Sequence, residues 1–124
     1  MLMPGSLLIR WCGCFLLGLA SLAGCTKPAP TPEQALVLKP EDARLASLYD
    51  TSCKACHAHA ESGAPLVHDH GAWDPRWKQG LATLTDHVIL GYKAMPAGGQ
   101  CLTCSPDDIK ALIRFMADQP EKPS

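Results

Sequence analysis

The sequence has almost no net charge. Its 124 residues include 11 lysines and arginines and 12 aspartates and glutamates, which gives a formal net charge of −1 at pH 7. Proteins that bind nucleic acids usually carry a basic patch or stripe that contacts the phosphates. The balanced charge therefore argues against a nucleic-acid partner.

The sequence also lacks an apolar run long enough to span a bilayer, which requires about 20 residues. A shorter, mostly apolar run over residues 11–23 follows a single basic residue, Arg10, and this order is typical of a signal peptide. Its end, the Leu-Ala-Gly-Cys of residues 22–25, resembles the lipobox of bacterial lipoproteins, in which the peptide is cleaved before an acylated cysteine. We therefore predict a lipoprotein signal over residues 1–24 and a periplasmic protein that Cys25 anchors to a membrane. The alternatives are an ordinary secreted signal and an uncleaved anchor.

Residues 25–40 lack a continuous helical pattern. Prolines recur through this stretch, and they favour extended, polyproline-like chain at about 3.1 Å per residue. We therefore predict a tether over residues 25–40 that reaches roughly 45 Å at most. The apolar patch at residues 34–38 either packs on the domain or forms a short turn. The domain itself is expected over residues 41–119, with a tail over residues 120–124.

The domain shows no strand pattern of any length, so we predict an all-α fold of three to five helices. One helix is expected over about 40–51, a short one around residues 73–77, and a third over about 81–92, with Tyr92 on its apolar face. The last begins after Ser105, where Ser105 and Asp108 form a capping-box pattern, and its apolar residues follow helical spacing. Such a small domain has a thin core of its own.

The strongest motif is Cys53-Lys54-Ala55-Cys56-His57. C-x-x-C-H is the spacing at which two thiols attach covalently to a haem and the following histidine supplies an axial nitrogen to the iron. Two other interpretations apply to the cysteines alone. They could form half of a zinc site, completed by Cys101 and Cys104, or a redox dithiol. A thioredoxin-like dithiol normally belongs to a βαβ unit, which this sequence lacks.

Only two methionines follow the predicted signal peptide, Met95 and Met116. Met116 falls on the apolar stripe of the last helix and is expected in the core. Met95 lies in a loop beside Pro96, well beyond His57, where a second axial ligand could return across the haem. Trp73 is expected to pack on the haem, although a plain core position explains it nearly as well. The remaining histidines are expected at the surface; they are His59, His68, His70 and His87.

These motifs resemble the class I c-type cytochromes, and most closely the cytochrome c5 group, over residues 42–119. The resemblance rests on the haem motif and on four further stretches, which are residues 63–65, 72–76, 91–96 and 98–105. The second C-x-x-C, shortly after the Met-Pro pair, points to this group within the larger family.

The resemblance implies a small all-α fold around one haem c, attached through Cys53 and Cys56. It implies that His57 and Met95 are the axial ligands and that the Pro65 carbonyl accepts the other ring N–H of His57. It also implies a disulfide between two further cysteines, Cys101 and Cys104.

We therefore expect a membrane-tethered electron carrier, not an enzyme, that meets redox protein partners briefly and has no small-molecule substrate. One alternative is a haem-based sensor or peroxidase-like enzyme whose iron is open to ligands because Met95 does not bind it. Another is a thiol-disulfide protein that uses Cys101 and Cys104. No cation other than Lys110 lies close by in sequence to lower the pKa of those thiols.

Overall fold

The computed structural model describes residues 27–120, so the predicted signal peptide, Cys25 and residues 121–124 lie outside the described residues. Within that range the chain is helical and contains no β-strand, which confirms the all-α prediction. None of the helices described there has both the length and the hydropathy to cross a membrane. The α-helices are α1 (Pro32–Val37), α2 (Ala43–Leu48), α3 (Lys54–His57), α4 (His70–Trp77), α5 (Leu81–Leu90) and α6 (Pro106–Met116).

Helices α2 and α3 form one continuous helical segment, because a π-helical turn over Tyr49–Cys53 joins them. The segment begins later than expected, since the Asp42 side chain accepts the Leu45 N–H at 2.8 Å and acts as the N-cap. It also ends later, at His57 rather than at residue 51. The prediction over residues 40–51 was therefore wrong at both ends, and the haem motif is itself helical. Turns of this π type occur frequently at functional sites.

The segment predicted to be extended contains α1. Thr31 and Gln34 form a capping box at its start, and Pro32 occupies the first turn, where its missing N–H costs no hydrogen bond. Ala35 is fully buried in the main core. The prediction of extended chain is therefore wrong over Pro32–Val37, because the prolines lie at and before the helix start rather than inside the helix.

Helix α4 also begins earlier than expected. Its N-cap is Asp69, whose side chain accepts the Ala72 N–H, so Trp73 and Pro75 both lie inside the helix rather than at its start. Glycines flank the next helix, α5, with Gly80 before it and Gly91 after it. Its end at Leu90 leaves Tyr92 outside the helix.

The core has two parts that meet along α6. The larger part surrounds Tyr49, whose ring packs edge-on against Phe115 with centroids 5.0 Å apart. The smaller part joins Leu84 of α5 to α6. Helix α6 matches its prediction, since it starts after the Ser105 capping box and buries four apolar residues at helical spacing. They are Ile109, Leu112, Ile113 and Met116.

An ion pair ties α2 to the start of α6. The Arg44 guanidinium donates to both Asp108 carboxylate oxygens, with Nη2 2.8 Å from Oδ2. Asp108 is buried and also accepts from the Ser105 N–H at 2.9 Å and from its hydroxyl at 2.8 Å. These hydrogen bonds, first that from Arg44 and then those from Ser105, hold the pKa of Asp108 well below its usual range.

We expect Asp108→Asn to unfold at a lower temperature than the wild type at pH 7. A carboxylate whose pKa is depressed in the folded state stabilises that state above its unfolded pKa, about 3.9, and this stabilisation fades as the pH falls toward the folded value. The variant should therefore lose less stability than the wild type when the pH falls from 5 to 2. Thermal unfolding followed by circular dichroism measures both effects. Asp107→Asn is the matched control, because the Asp107 side chain is 91% exposed and bonds only Lys110; equal behaviour of the two variants would refute the assignment.

Candidate cofactor site

One cleft brings together the residues that the sequence singled out. It encloses about 520 Å³ of empty space, a volume that includes solvent at its open mouth. Apolar side chains of α6 form one wall, and the chain after α5 forms another. The sulfur and imidazole groups that line the cleft belong to Cys53, Cys56, His57, Met95, Cys101, Cys104 and Met116.

Cys53 and Cys56 both carry free thiols on this cleft. Cys53 ends the π-helical turn and Cys56 lies in α3, so the two sulfurs are about one helical turn apart. Burial raises the pKa of the Cys53 thiol to about 11. Redox-active C-x-x-C motifs have a lowered thiol pKa instead. The local environment therefore disfavours the redox-dithiol interpretation of this pair.

Hydrogen bonds hold both the side chain and the backbone of His57. Its side chain donates Nδ1–H to the Pro65 carbonyl oxygen at 2.8 Å, the contact that the resemblance implies. Its own carbonyl accepts the Val67 N–H at 2.7 Å. The residue is only 7% exposed, and burial is the main reason that the pKa of the imidazole lies below its usual value. The ring is therefore neutral at pH 7, with Nε2 left as a metal-binding nitrogen.

Trp73 lies against His57. The two ring centroids are 5.8 Å apart with an interplanar angle of 31°. The buried indole donates its N–H to the Leu66 carbonyl at 2.8 Å, which fixes its orientation. Trp73 therefore supports the histidine ring, and its direct packing on the haem stays a prediction.

A tight turn presents Met95 to the cleft. Tyr92 and Met95 exchange two backbone hydrogen bonds of 3.0 Å each. The turn requires glycine at position 91, where φ is +85° and an added Cβ would lie 3.0 Å from the Ala97 nitrogen and 3.1 Å from the Met95 carbonyl oxygen. These hydrogen bonds and Gly91 thus fix the backbone of Met95.

Tyr92 supports this turn from outside the helix. The sequence predicts it on the apolar face of the third helix, and this is wrong, because α5 ends at Leu90 and Tyr92 is exposed. Its ring stacks on His87 instead, with centroids 4.0 Å apart and planes 19° apart. Sequence analysis missed this pair, although an i, i+5 spacing across a helix-ending glycine could have indicated it.

Met116 also lines the cleft, in addition to its predicted place in the core. Its core neighbours include Trp73 and Val67, both of which contact His57. Met116 therefore lies on the histidine side of the site. Met95 comes from the separate wall after α5, which makes it the better candidate for a second iron ligand.

Cys101 and Cys104 are joined to each other in the structure, with Cα atoms 5.5 Å apart. They follow a short 3₁₀ turn, Ala97–Gln100, and lead into α6. A zinc site would need their sulfurs free for the metal. Within residues 27–120 no group of three or more histidine, cysteine or acidic side chains is arranged to hold a metal ion. The zinc interpretation is therefore disfavoured.

The four spare histidines have contacts outside the cleft. His59 pairs with Glu61, and His68 packs against Phe115. His70 contacts the carboxylates of Asp74 and Asp118, and the remaining one, His87, stacks on Tyr92 as described. None of the four lines the cleft, although all four are half-buried and not fully exposed at the surface.

Together these groups fit a covalently attached haem. The chain offers two free thiols at the required spacing, a neutral imidazole whose second nitrogen is engaged by a carbonyl, and a thioether on another wall. The remaining walls are mostly apolar, including Ile109 and Leu112. Histidine–methionine ligation of this kind is typical of cytochromes c.

Comparison with known families gives a match over residues 40–116. The family model is described as cytochrome C oxidase, cbb3-type, subunit III. It spans more than half of the chain and includes the C-x-x-C-H motif and Met95.

Individual relatives are small cytochromes. Cytochrome c-555 of Chlorobaculum tepidum is 39% identical over 75 residues, which cover 57% of this chain and 69% of the relative. Cytochrome c5 of Azotobacter vinelandii is 42% identical over 67 residues, 52% of this chain and 81% of the relative. In both, the match covers more than two thirds of the relative.

Solved structures agree with the helical fold. A mono-haem ferrocytochrome c from Shewanella putrefaciens superposes with a TM-score of 0.53 at 36% identity, covering 61% of this chain and 94% of the other. A chain from the crystal structure of an electron transfer complex of nitrite reductase with cytochrome c gives a TM-score of 0.55 at 32% identity, covering 62% and 94%.

Proposed function

Because this chain belongs to the class I c-type cytochromes, close to the cytochrome c5 group, we propose that it is a periplasmic electron carrier tethered to a membrane. It carries one covalently bound haem c. The haem supplies an iron that gains and loses a single electron, and the chain itself needs no substrate pocket beyond the haem cleft.

Four residues are proposed to hold the haem. Cys53 and Cys56 form the thioether links, while His57 and Met95 are the axial ligands. The observation that carries this proposal is the single cleft lined by all four side chains, although Met95 is far from the other three in sequence. Ligation by histidine and methionine raises the reduction potential and suits an electron carrier.

The rest of the site positions these ligands. The Pro65 carbonyl orients the His57 ring, and the backbone pair with Tyr92 holds the Met95 loop. Apolar residues of α6, including Ile113, line the cleft and exclude water. A site whose ligands are fixed before electron transfer needs little rearrangement when the iron changes charge.

Redox proteins are the proposed partners, as electron donor and acceptor. This is supported by the structural neighbour, a cytochrome c from an electron transfer complex with nitrite reductase. Electron-transfer encounters of this kind use small interfaces, below about 1,200 Å² in total.

The test of the proposed function is the absorption spectrum of the oxidised and reduced holoprotein, with and without carbon monoxide. An electron carrier with both axial positions filled should be reducible, should show the weak sulfur-to-iron charge-transfer band when oxidised, and should bind carbon monoxide poorly. Ready binding of carbon monoxide by the wild type, with no such band, would instead support the alternative of a sensor or peroxidase-like enzyme.

The lipid anchor at Cys25 makes a separate prediction. Cys25→Ser should release the protein from the membrane or leave it unprocessed, with haem attachment intact. Several acyl chains bind a bilayer far more durably than one, whose binding is marginal and reversible. Fractionation of membranes and periplasmic extract, with haem followed at its absorption maximum, measures this. Wild-type protein found wholly in the soluble extract would contradict the anchor.

We also propose that Cys101 and Cys104 form a disulfide in the exported protein, an environment in which disulfides persist. Replacing both with serine should lower the unfolding temperature while the haem stays attached and reducible. The loop that they close is very short, so the loss should fall at the low end of the roughly 0–5 kcal/mol known for disulfides. Calorimetry measures the loss, and two free thiols in the mass spectrum of native wild-type protein would refute the pairing.

A further inference from the structure

The segment that leads from Cys25 to the haem domain folds onto the domain. At the start of α1, the Thr31 N–H donates to the Gln34 side-chain oxygen at 2.8 Å, and the Gln34 N–H donates to the Thr31 hydroxyl at 3.3 Å. One turn later, Ala35 is fully buried in the main core beside Tyr49, and Leu38 packs against the same cluster. The segment is thus part of the packed structure.

A second attachment lies nearer to Cys25. The Lys27 ammonium donates to Asp118 Oδ2 at 2.6 Å, just after the end of α6. The same oxygen lies 3.1 Å from His70 Nε2. The segment over residues 27–38, called the strap below, is therefore held at both ends, by an ion pair at Lys27 and by apolar packing at Ala35.

The strap shortens the reach of an anchor at Cys25. An extended tether over residues 25–40 would let the domain move up to roughly 45 Å from the membrane. With the strap docked, only Thr26 separates Cys25 from Lys27, a span of at most about 7 Å between Cα atoms. The domain surface around Asp118 must then lie close to the lipid headgroups.

The outward side of α1 suits that position. Leu36 is 41% exposed and Val37 is 75% exposed, directly after the buried Ala35. We propose that, with Cys25 acylated, the docked strap holds the domain against the bilayer with Leu36 and Val37 in the lipid interface. This inference rests on the lipid anchor proposed above. Since Lys27 is already paired with Asp118, the contact needs no anionic lipid.

The experiment measures how fast a water-soluble maleimide labels a cysteine placed either at the end of α1 or in the first turn of α6. Val37→Cys reports on the strap. Asp107→Cys is the control, because Asp107 lies in the first turn of α6 and Asp118 follows the opposite end of this helix, which is about 16 Å long. Each holoprotein is labelled twice, once anchored in phosphatidylcholine vesicles and once as the soluble Cys25→Ser form, and mass spectrometry identifies the labelled residue and the acyl chains.

We expect anchoring to slow labelling at position 37 several-fold and to leave position 107 unchanged, in low and high salt alike. Ten glycine and serine residues inserted between Thr26 and Lys27 add roughly 17 Å and keep every contact of the domain. They should restore the labelling rate at position 37.

Two outcomes overturn the inference, and they differ. If the mass shows acyl chains but position 37 labels as fast in vesicles as in the soluble form, the docked orientation is wrong while the anchor stands. If the mass shows no acyl chains, the anchor itself is wrong and the inference fails with it. In neither case is the haem site affected.

Discussion

Met95→Ala is expected to turn the electron carrier into a protein that binds carbon monoxide in its reduced form. The thioether of Met95 is a soft ligand that favours ferrous iron, so its removal should also lower the reduction potential. Axial ligands set potentials over roughly 0.8 V, and a shift on the order of 0.1 V or more is expected here. Absorption spectra, carbon monoxide titration and a redox titration measure these changes.

Met116 provides the matched control for this experiment. It is the other described methionine that lines the cleft, but it is buried with Trp73 on the side of His57. Met116→Leu keeps its volume, so it should cost less than about 1.5 kcal/mol of stability. It should leave the charge-transfer band and the carbon monoxide affinity unchanged. The assignment of Met95 fails if the band survives Met95→Ala or disappears in Met116→Leu.

Met95→His separates ligation from simple loss of packing. It should keep both axial positions filled and therefore exclude carbon monoxide, yet still lower the potential. The tight turn makes this substitution informative, since the Tyr92–Met95 hydrogen bonds and Gly91 hold the backbone of position 95 independently of its side chain. A variant that binds carbon monoxide as readily as Met95→Ala would show that the imidazole does not reach the iron.

The sequence predicted the elements whose signals are local. The C-x-x-C-H motif, the loop methionine and the capping box of α6 each fit within a few neighbouring residues, and the structure brings the first two to one cleft. The resemblance to cytochromes c5 is confirmed by the family match and by the relatives. The all-α class is also confirmed in the described residues. It could be predicted because helical spacing is a local pattern.

Helix α1 shows how one local signal can hide another. Thr31 and Gln34 have the capping-box spacing, and Pro32 sits at the favoured first position, so the signal was present in the sequence. The frequent prolines nevertheless favoured extended chain. What decides between the two is the burial of Ala35, and burial depends on distant partners that the sequence around it does not identify.

Contacts that depend on the folded chain could not be predicted from the sequence. Arg44 and Asp108 are 64 positions apart, and nothing local marks either as the partner of the other. The stacking of His87 on Tyr92 likewise depends on where α5 ends. Such pairs set the geometry around the haem motif, and only the folded chain identifies them.

Replacing both Cys53 and Cys56 with serine is expected to have the largest effect of all on the protein. Haem should no longer remain with the chain after denaturation, because both thioether links are gone. The domain should also become unstable. The apolar walls of the cleft, which include Ile109, Leu112 and Ile113, then lose the apolar surface of the haem that packs against them.

The second C-x-x-C pair of this chain provides a matched control for that experiment. Cys101→Ser with Cys104→Ser removes two sulfurs from the same cleft but should keep the haem on the denatured chain and most of the stability. Single replacements at position 53 or 56 should each retain one thioether link and give intermediate stability. Denaturing gels stained for haem, together with thermal unfolding, measure both properties. The attachment site is assigned to Cys53 and Cys56 because only this pair directly precedes the proposed axial histidine. That assignment is wrong if haem stays bound to the denatured Cys53→Ser, Cys56→Ser chain. It is also wrong if haem leaves the denatured Cys101→Ser, Cys104→Ser chain.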